Sequence, residues 1–352
     1  MHVLTGRRAY RSRRASVGGT GTLFTGPPSP ECVYALELAG QDDAFAAAEA
    51  ESAAAGVEVV APGLATARGV TDRVRHLAFT HRASELVGRA DADVAGARAL
   101  LQAAPLDREG SVAVRARDVR STAGIDTQQA ERDLGAVLVE RGFTVDLDAP
   151  DHELYALFSE GVSLLGWGAI ESQRDFGARK PTDRPFFQPG SMDPMLARAL
   201  VNLAGVGPGD RLLDPMCGTG GVLIEGSLVG ADVLGTDAQR KMVRGTRQNL
   251  ADALAGEWAV ARADATRLPL PDTSVDAAVF DAPYGRQSKV EGVDPDTVVA
   301  GALEDAHRVA PRAVVVADRP LAGPAQAAGW TVERTFERRV HRSLVRHVHV
   351  LD

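Results

Sequence analysis

Hydrophobic positions divide the chain into unlike stretches. Residues 1–31 show no apolar periodicity: Arg7, Arg8, Arg11, Arg13 and Arg14 lead into a run rich in Gly, Thr and Pro. This segment reads either as a disordered basic extension or as a misassigned start. It has no apolar core of the roughly 7–15 residues that a signal peptide needs. Beyond it, the pattern predicts a strand at Tyr34–Leu38, a helix at Asp42–Ala54, a strand at Val57–Val60 and a third strand at Val74–Phe79, together a small α/β unit. Ser111–Arg117 alternates Val112 and Val114 with Arg115 and Arg117, the period of a half-exposed strand with a basic face. Asp126 and Gln129 have capping-box spacing ahead of a helix that stripes Ala130, Leu134, Val137 and Leu138, and Gly142 suits its C-terminal stop. Phe143–Asp151 reads as a strand and turn, and Leu154–Phe158 with Val162–Trp167 as a hairpin across Gly161.

Between Glu171 and Gly190 the chain turns polar and proline-rich, as a linker would. Asp193-Pro194 then caps a helix striped by Leu196, Leu200 and Leu203. Strands follow at Arg211–Asp214, Ala231–Thr236, Trp258–Arg262, Ala277–Asp281 and Ala313–Ala317, most of them separated by helices. Two more, near Trp330–Phe336 and Val345–Leu351, close the sheet. Alternation of this kind predicts a doubly wound α/β fold. The expected organisation is an N-terminal α/β module at 32–170, a linker at 171–190 and the doubly wound domain at 191–352.

Composition adds three constraints. The chain of 352 residues can build more than one core. It holds no run near the roughly 18 apolar residues of a membrane span. Two cysteines, Cys32 and Cys217, form neither a disulfide framework nor a zinc pattern, which fits a cytoplasmic protein without a metal. The net charge of −8 is the wrong sign for a simple nucleic-acid binder, yet arginine supplies nearly all the positive charge: the lysines are Lys180, Lys241 and Lys289. An acidic, lysine-poor chain of this kind also has the composition common in salt-loving organisms.

The first doubly wound strand runs into Asp214-Pro-Met-Cys-Gly-Thr-Gly-Gly221 and then directly into a helix. Glycines at such a turn bring backbone close to a ligand. A dinucleotide fingerprint would need glycine where Leu223 stands, and no P-loop lysine follows. An acid, three spacers and G-x-G remain, which resembles the first motif of Rossmann-like methyltransferases. Asp214 is then placed for the cationic methionine end of the cofactor, with Gly218 and Gly220 forming the turn. Asp237 ends the next strand, placed for a ribose diol, and Asp264 with Ala265 ends the third, placed for an adenine amine. Three successive strand-end acids are poorly explained as chance caps. Cys217 reads as a buried filler, since no histidine lies near it in sequence. Phe187 and its neighbours precede the first helix, where they would lie against the methionine arm or plug the domain boundary.

The fourth strand ends in Asp281-Ala-Pro-Tyr284-Gly-Arg-Gln-Ser288. An exocyclic amine delocalises its lone pair into the ring, so it needs two acceptors on its hydrogens to become a nucleophile. Asp281 and the carbonyl of Ala282 can supply them, while Tyr284 stacks on an extruded base. The carboxylate can also take the departing proton, an effect of roughly 10²–10⁴-fold. Relatives of this motif carry proline at position 282. The carbonyl needs no ring, so Ala282→Pro is expected to be neutral or mildly activating.

The runs Arg184–Pro194, Leu213–Glu225, Asp281–Arg286 and Val340–His349 closely resemble those of the archaeal tRNA (guanine(10)-N2)-dimethyltransferases. Ser111–Trp167 is similar to a THUMP domain, with Val145-Asp-Leu-Asp-Ala-Pro-Asp151 as its most typical piece. The resemblance implies a Rossmann-like class I methyltransferase domain preceded by an α/β THUMP-type RNA-binding module. It implies S-adenosyl-L-methionine as cofactor, tRNA as partner and the N2 amine of guanine 10 as target, methylated once and then again. No metal and no membrane enter, and the protein is expected to act as a monomer. Arg115, Arg117, Arg120, Arg179 and Lys180 are the expected phosphate contacts. Rival readings are a THUMP-bearing enzyme acting on another tRNA position or on ribosomal RNA, a DNA amino-methyltransferase, and a protein glutamine methyltransferase. The non-enzyme rival is an RNA-binding protein with an inactive scaffold.

Overall fold

The computed structural model describes residues 33–282, 294–341 and 344–352. Its N-terminal half is one eight-stranded sheet. In chain order the elements are β1 (Tyr34–Leu38), α1 (Asp43–Ala50), β2 (Ala54–Ala55), β3 (Glu58–Ala61), β4 (Leu64–Ala67), β5 (Gly69–Val70), β6 (Thr80–Ala90), α2 (Val94–Ala103), β7 (Ser111–Asp118), α3 (Thr127–Glu140), β8 (Thr144–Val145), β9 (His152–Ser159) and β10 (Val162–Glu171). The strand order is β3-β4-β1-β6-β10-β9-β7-β8, and β2 pairs separately with β5. The small unit read at the start of the chain is therefore continuous with the later strands. The eleven-residue β6 joins them, pairing with β1 on one edge and β10 on the other.

The strand expected at Val74–Phe79 does not form. Asp72–His76 is a 3-10 turn, and Leu77, Ala78 and Phe79 are buried by packing rather than by alternation. The next strand starts at Thr80. Helix α2 escaped the sequence reading; it begins at Asp93, whose carboxylate accepts from the Gly96 amide at 2.6 Å. Asp126 caps α3 as its spacing implies, accepting from the Gln129 amide at 3.0 Å. The stretch after Phe143 contains only the two-residue β8. Asp146 then accepts from the Asp148 and Ala149 amides, both at 3.0 Å, and turns the chain back.

The second half carries α4 (Pro194–Leu203), β11 (Arg211–Asp214), α5 (Gly221–Leu228), β12 (Asp232–Asp237), α6 (Arg240–Ala253), β13 (Trp258–Arg262), β14 (Ala277–Asp281), α7 (Pro295–Val309), β15 (Ala313–Ala317), α8 (Ala322–Ala327), β16 (Val332–His341) and β17 (Leu344–Leu351). The order β13-β12-β11-β14-β15-β17-β16 is parallel until the two closing strands, which are antiparallel. The chain winds outward from β11 through β12 to β13, then returns to β14 on the other side. The switch point between β11 and β14 is where such sheets open a crevice for ligands.

A single apolar cluster runs through both halves, from Leu36 and Phe45 to Leu200, Val222 and Val279. Its polar centre is Glu49 of α1. This fully buried carboxylate accepts from the Ala78 and Phe79 amides at 2.7 and 2.6 Å and from Asn202 Nδ2 of α4 at 2.7 Å. Burial raises the Glu49 pKa against these bonds. Asn202 also donates to the His76 carbonyl at 3.0 Å, so one amide joins the two halves. Asn202→Ala should therefore lower the unfolding free energy by about 1–3 kcal/mol, because it orphans buried acceptors. Urea unfolding checks this, and an unchanged midpoint would show that the Asn202 amide contributes nothing to holding the two halves together.

Candidate active site

A cavity of about 710 Å³ lies over the carboxyl ends of β11, β12 and β14 and the start of α6. Asp214 ends β11 at 3% exposure, and its Oδ1 accepts from the Met216 amide at 3.0 Å. Burial first, then the charges of Asp237 and Asp281, push its pKa well above the carboxylate range. The loop beyond it turns through left-handed Gly218 (φ 52°) and Gly220 (φ 82°). That conformation lets the Gly218 amide donate to Asp237 Oδ2 at 3.1 Å while the Gly218 carbonyl accepts from Thr246 Oγ1 at 2.6 Å. The Gln239 amide reaches Asp237 Oδ1 at 2.8 Å. Burial raises the Asp237 pKa even so.

Asp214, Gly218, Asp237, Asp264 and Ala265 all line the cavity. Asp264 is exposed at its lip, where its Oδ1 also accepts from the Thr266 amide and hydroxyl at 3.0 and 2.9 Å. Gly220 stands behind the lining and acts through the turn: a Cβ there would meet Thr246 Cγ2 at 2.9 Å. Phe187 is 42% exposed and lies outside the lining, which takes Gln188–Met192 from the same segment instead. Cys217 is buried with its pKa raised by burial and by Asp214 and Asp237, which makes it a neutral filler.

Asp281 and Ala282 line the same cavity, with Asp281 at the end of β14. Tyr284 falls outside the described residues. Ala282 is buried, and its amide donates to the Val316 carbonyl at 2.7 Å. A proline there would lose that bond, so the sequence expectation of a neutral Ala282→Pro change does not fit this backbone.

Sequence reasoning missed two supports. Arg346 of β17, 6% exposed, reaches Asp281 Oδ2 at 3.6 Å. Alternation gives its reason: Asp281 pairs with Val316, Val316 with Val348, and Arg346 stands two residues from Val348 on the same face. Asn249 of α6 exchanges bonds with the Phe186 amide and carbonyl, both at 2.8 Å, and donates to the Thr219 carbonyl at 2.9 Å. It clamps the Phe186 segment to the glycine loop. An apolar-stripe reading gives no weight to a buried asparagine.

The expected phosphate contacts are scattered, and most hold carboxylates. Arg115 pairs with Glu153 at 2.9 Å, Arg117 with Glu37 at 3.7 Å, and Arg120 grips Asp43 through both terminal nitrogens. Arg179 pairs with the buried Glu225 at 2.8 Å and with Asp175 at 2.6 Å. Lys180 is exposed.

The methyltransferase family described as RMKL-like matches residues 181–347. The chain is 37% identical over 285 residues to the tRNA (guanine(10)-N2)-dimethyltransferase of Methanothermobacter thermautotrophicus, covering 79% of this chain and 84% of that one. It is 33% identical over 263 residues to the enzyme of the same name from Methanocaldococcus jannaschii, covering 70% and 71%. The tRNA (guanine(6)-N2)-methyltransferase of Thermus thermophilus is 32% identical over 233 residues, covering 63% and 66%. The glycine loop, the strand-end acids and Asp281 lie within residues 181–347, and by its likeness to these relatives the chain belongs to the family of tRNA (guanine(10)-N2)-dimethyltransferases.

Proposed function

We propose that the protein methylates the exocyclic N2 amine of guanine 10 in tRNA, once and then again, with S-adenosyl-L-methionine as donor. The observation that carries this reading is the convergence of three carboxylates, Asp214, Asp237 and Asp281, on one cavity at the switch point. That crowding suits a cationic ligand. Asp214 would meet the ammonium and Asp237 the ribose hydroxyls, with Asp264 and Ala265 towards the adenine. When bound, the cofactor supplies a methyl group on a positively charged sulfur. Asp281 accepts the hydrogens of the substrate amine, restores its lone pair and takes the proton that the amine sheds. Arg346 holds one oxygen of that carboxylate. Mass spectrometry of tRNA incubated with protein and donor tests the reading: N2,N2-dimethylguanine at position 10 is expected. A methyl group at another position would move the assignment to a sister activity, and unmodified tRNA would overturn it.

Asp281→Ala should lower turnover by roughly 10²–10⁴-fold, with donor affinity held within a few-fold. Asp237→Ala should do the reverse, weakening donor binding. Single-turnover rates and calorimetry separate the two, and more than about a tenth of wild-type turnover in Asp281→Ala would remove the proton-acceptor role.

Donor binding should also release protons. Burial holds protons on Asp214 and Asp237 above the ordinary carboxylate range, and a bound cation favours the ionised forms. Affinity should therefore rise with pH from that range up to the raised values, then level off. Calorimetry in buffers of different ionisation enthalpy measures this, and a buffer-independent heat would show that neither acid changes its proton on binding.

Ala282→Pro should lower the unfolding free energy by about 1–3 kcal/mol through the orphaned Val316 carbonyl. Unchanged stability in urea would mean that the β14–β15 ladder does not extend to residue 282.

A further inference from the structure

Arg115, Arg117, Arg120 and Arg179 all have carboxylate partners. Helix α6 differs. Over Arg240–Ala253 it holds four basic residues, Arg240, Lys241, Arg244 and Arg247, against the single acid Asp252. The chain as a whole has 47 acidic and 39 basic residues. Arg240, Lys241 and Arg244 are exposed, and among the described residues none of them makes an ion pair. Their placement works against the fold. Cations in a first turn face the positive end of the helix dipole, and Arg240 and Arg244 repel each other at i,i+4. Nothing in the packing of α6 requires such a cluster, whereas a polyanion would be attracted by it.

Two neighbours extend this face. Arg262, at the exposed end of β13, donates from Nε to the Ala238 carbonyl at 2.8 Å, which brings its guanidinium to the start of α6. Phe187, 42% exposed, sits on a segment that also meets α6. Its neighbour Phe186 packs its ring where a Cβ on Gly245 would overlap it, has Lys241 Nζ at 5.8 Å from its ring centre, and is clamped by Asn249 at both backbone groups. The next residue, Gln188, already lines the cavity. Phe187 is thus an exposed aromatic on a firmly anchored segment, between a basic helix face and the cavity mouth. Aromatic rings beside a cationic track form the usual platform for unstacked nucleic-acid strands, with bases on the rings and phosphates on the cations.

We propose that Phe187 and the basic face of α6, chiefly Arg240 and Arg244 with Arg262, receive the RNA strand flanking the target nucleotide. Phe187 stacks on an unpaired base while the arginines neutralise adjacent phosphates. The proposal rests on the reading of tRNA as substrate, and its test separates the two.

The experiment measures binding of a tRNA transcript to the full-length protein over a series of KCl concentrations, with S-adenosylhomocysteine binding as the check that each variant is folded. The Arg240→Gln, Arg244→Gln double variant should lower the slope of log K against log salt by roughly 1.4–1.8, at about 0.7–0.9 per lost phosphate contact. Phe187→Ala should weaken binding by about 5- to 150-fold with the slope unchanged. Wild-type slope and affinity in both variants, with S-adenosylhomocysteine still bound, would overturn the proposal. Absence of tRNA binding by the wild-type protein would instead sink the substrate reading.

Discussion

Repulsion among Asp214, Asp237 and Asp281 is the constraint around which the catalytic half is arranged. The charges of Asp237 and Asp281 add to burial in raising the Asp214 pKa, and like charges in a partly desolvated crevice would push the strand ends apart unless something fixed each of them. Each is fixed by a different device. Asp214 is turned onto the Met216 amide, Asp237 takes amides from Gly218 and Gln239, and Asp281 faces Arg346. The left-handed glycines follow from this requirement, since only they bring the loop amide round to Asp237. A site held together against its own charge is complementary to a cation before any ligand arrives, which is how preorganised electrostatics favours binding and chemistry.

The same logic joins the two halves. Glu49 and Glu225 are both fully buried acids, and each is held by groups from distant segments. Glu49 takes backbone amides of its own half and Asn202 of the other. Glu225 takes Arg198 of α4 and Arg179 of the 171–190 segment. Arg174 of that segment donates back to the Ala78 carbonyl at 2.8 Å. A stretch that reads as a linker by composition is therefore tied to the N-terminal half by Arg174 and to the other half by Arg179 on the buried Glu225. Breaking such pairs costs more than making them contributes, so they fix geometry more than they add stability.

The doubly wound half was largely legible in the sequence, because parallel strands there are short apolar runs that end at functional turns. Arg211–Asp214, Trp258–Arg262, Ala277–Asp281 and Ala313–Ala317 stand where the pattern puts them. The N-terminal half was less so. Val74, Leu77, Ala78 and Phe79 are buried in the central core, with the Ala78 and Phe79 amides on Glu49, and no period distinguishes that from a strand. Strand β6 contains Arg82, Glu85 and Arg89, which hide its alternation, yet Arg82 is buried against Glu37 and lies over the Tyr155 ring. Charge partners were invisible for the same reason. Arg115 and Arg117 look like a basic face until Glu153 and Glu37 arrive from other strands. Phe187 was drawn towards the cofactor by its motif, whereas its neighbours from Gln188 onward face the cavity.

The closing strands show why a sheet edge can matter to chemistry. In β17 the alternation puts Arg346, Val348 and Val350 on one face and His347, His349 and Leu351 on the other. Val348 and Val350 join the central core, and Leu351 joins the core behind β14. His349 accepts from the Leu321 amide at 2.9 Å through Nε2, and burial lowers its pKa, so it acts as a neutral acceptor that fixes the loop after β15. Arg346 lies just beyond the last β15–β17 pair, Ala317 with His347, level with the carboxyl edge where Asp281 stands. The antiparallel return of β17 is what allows this: a strand running parallel to β15 would carry its early residues to the far edge of the sheet. Reversing the strand brings the Arg346 guanidinium to Asp281 without any insertion in the parallel core.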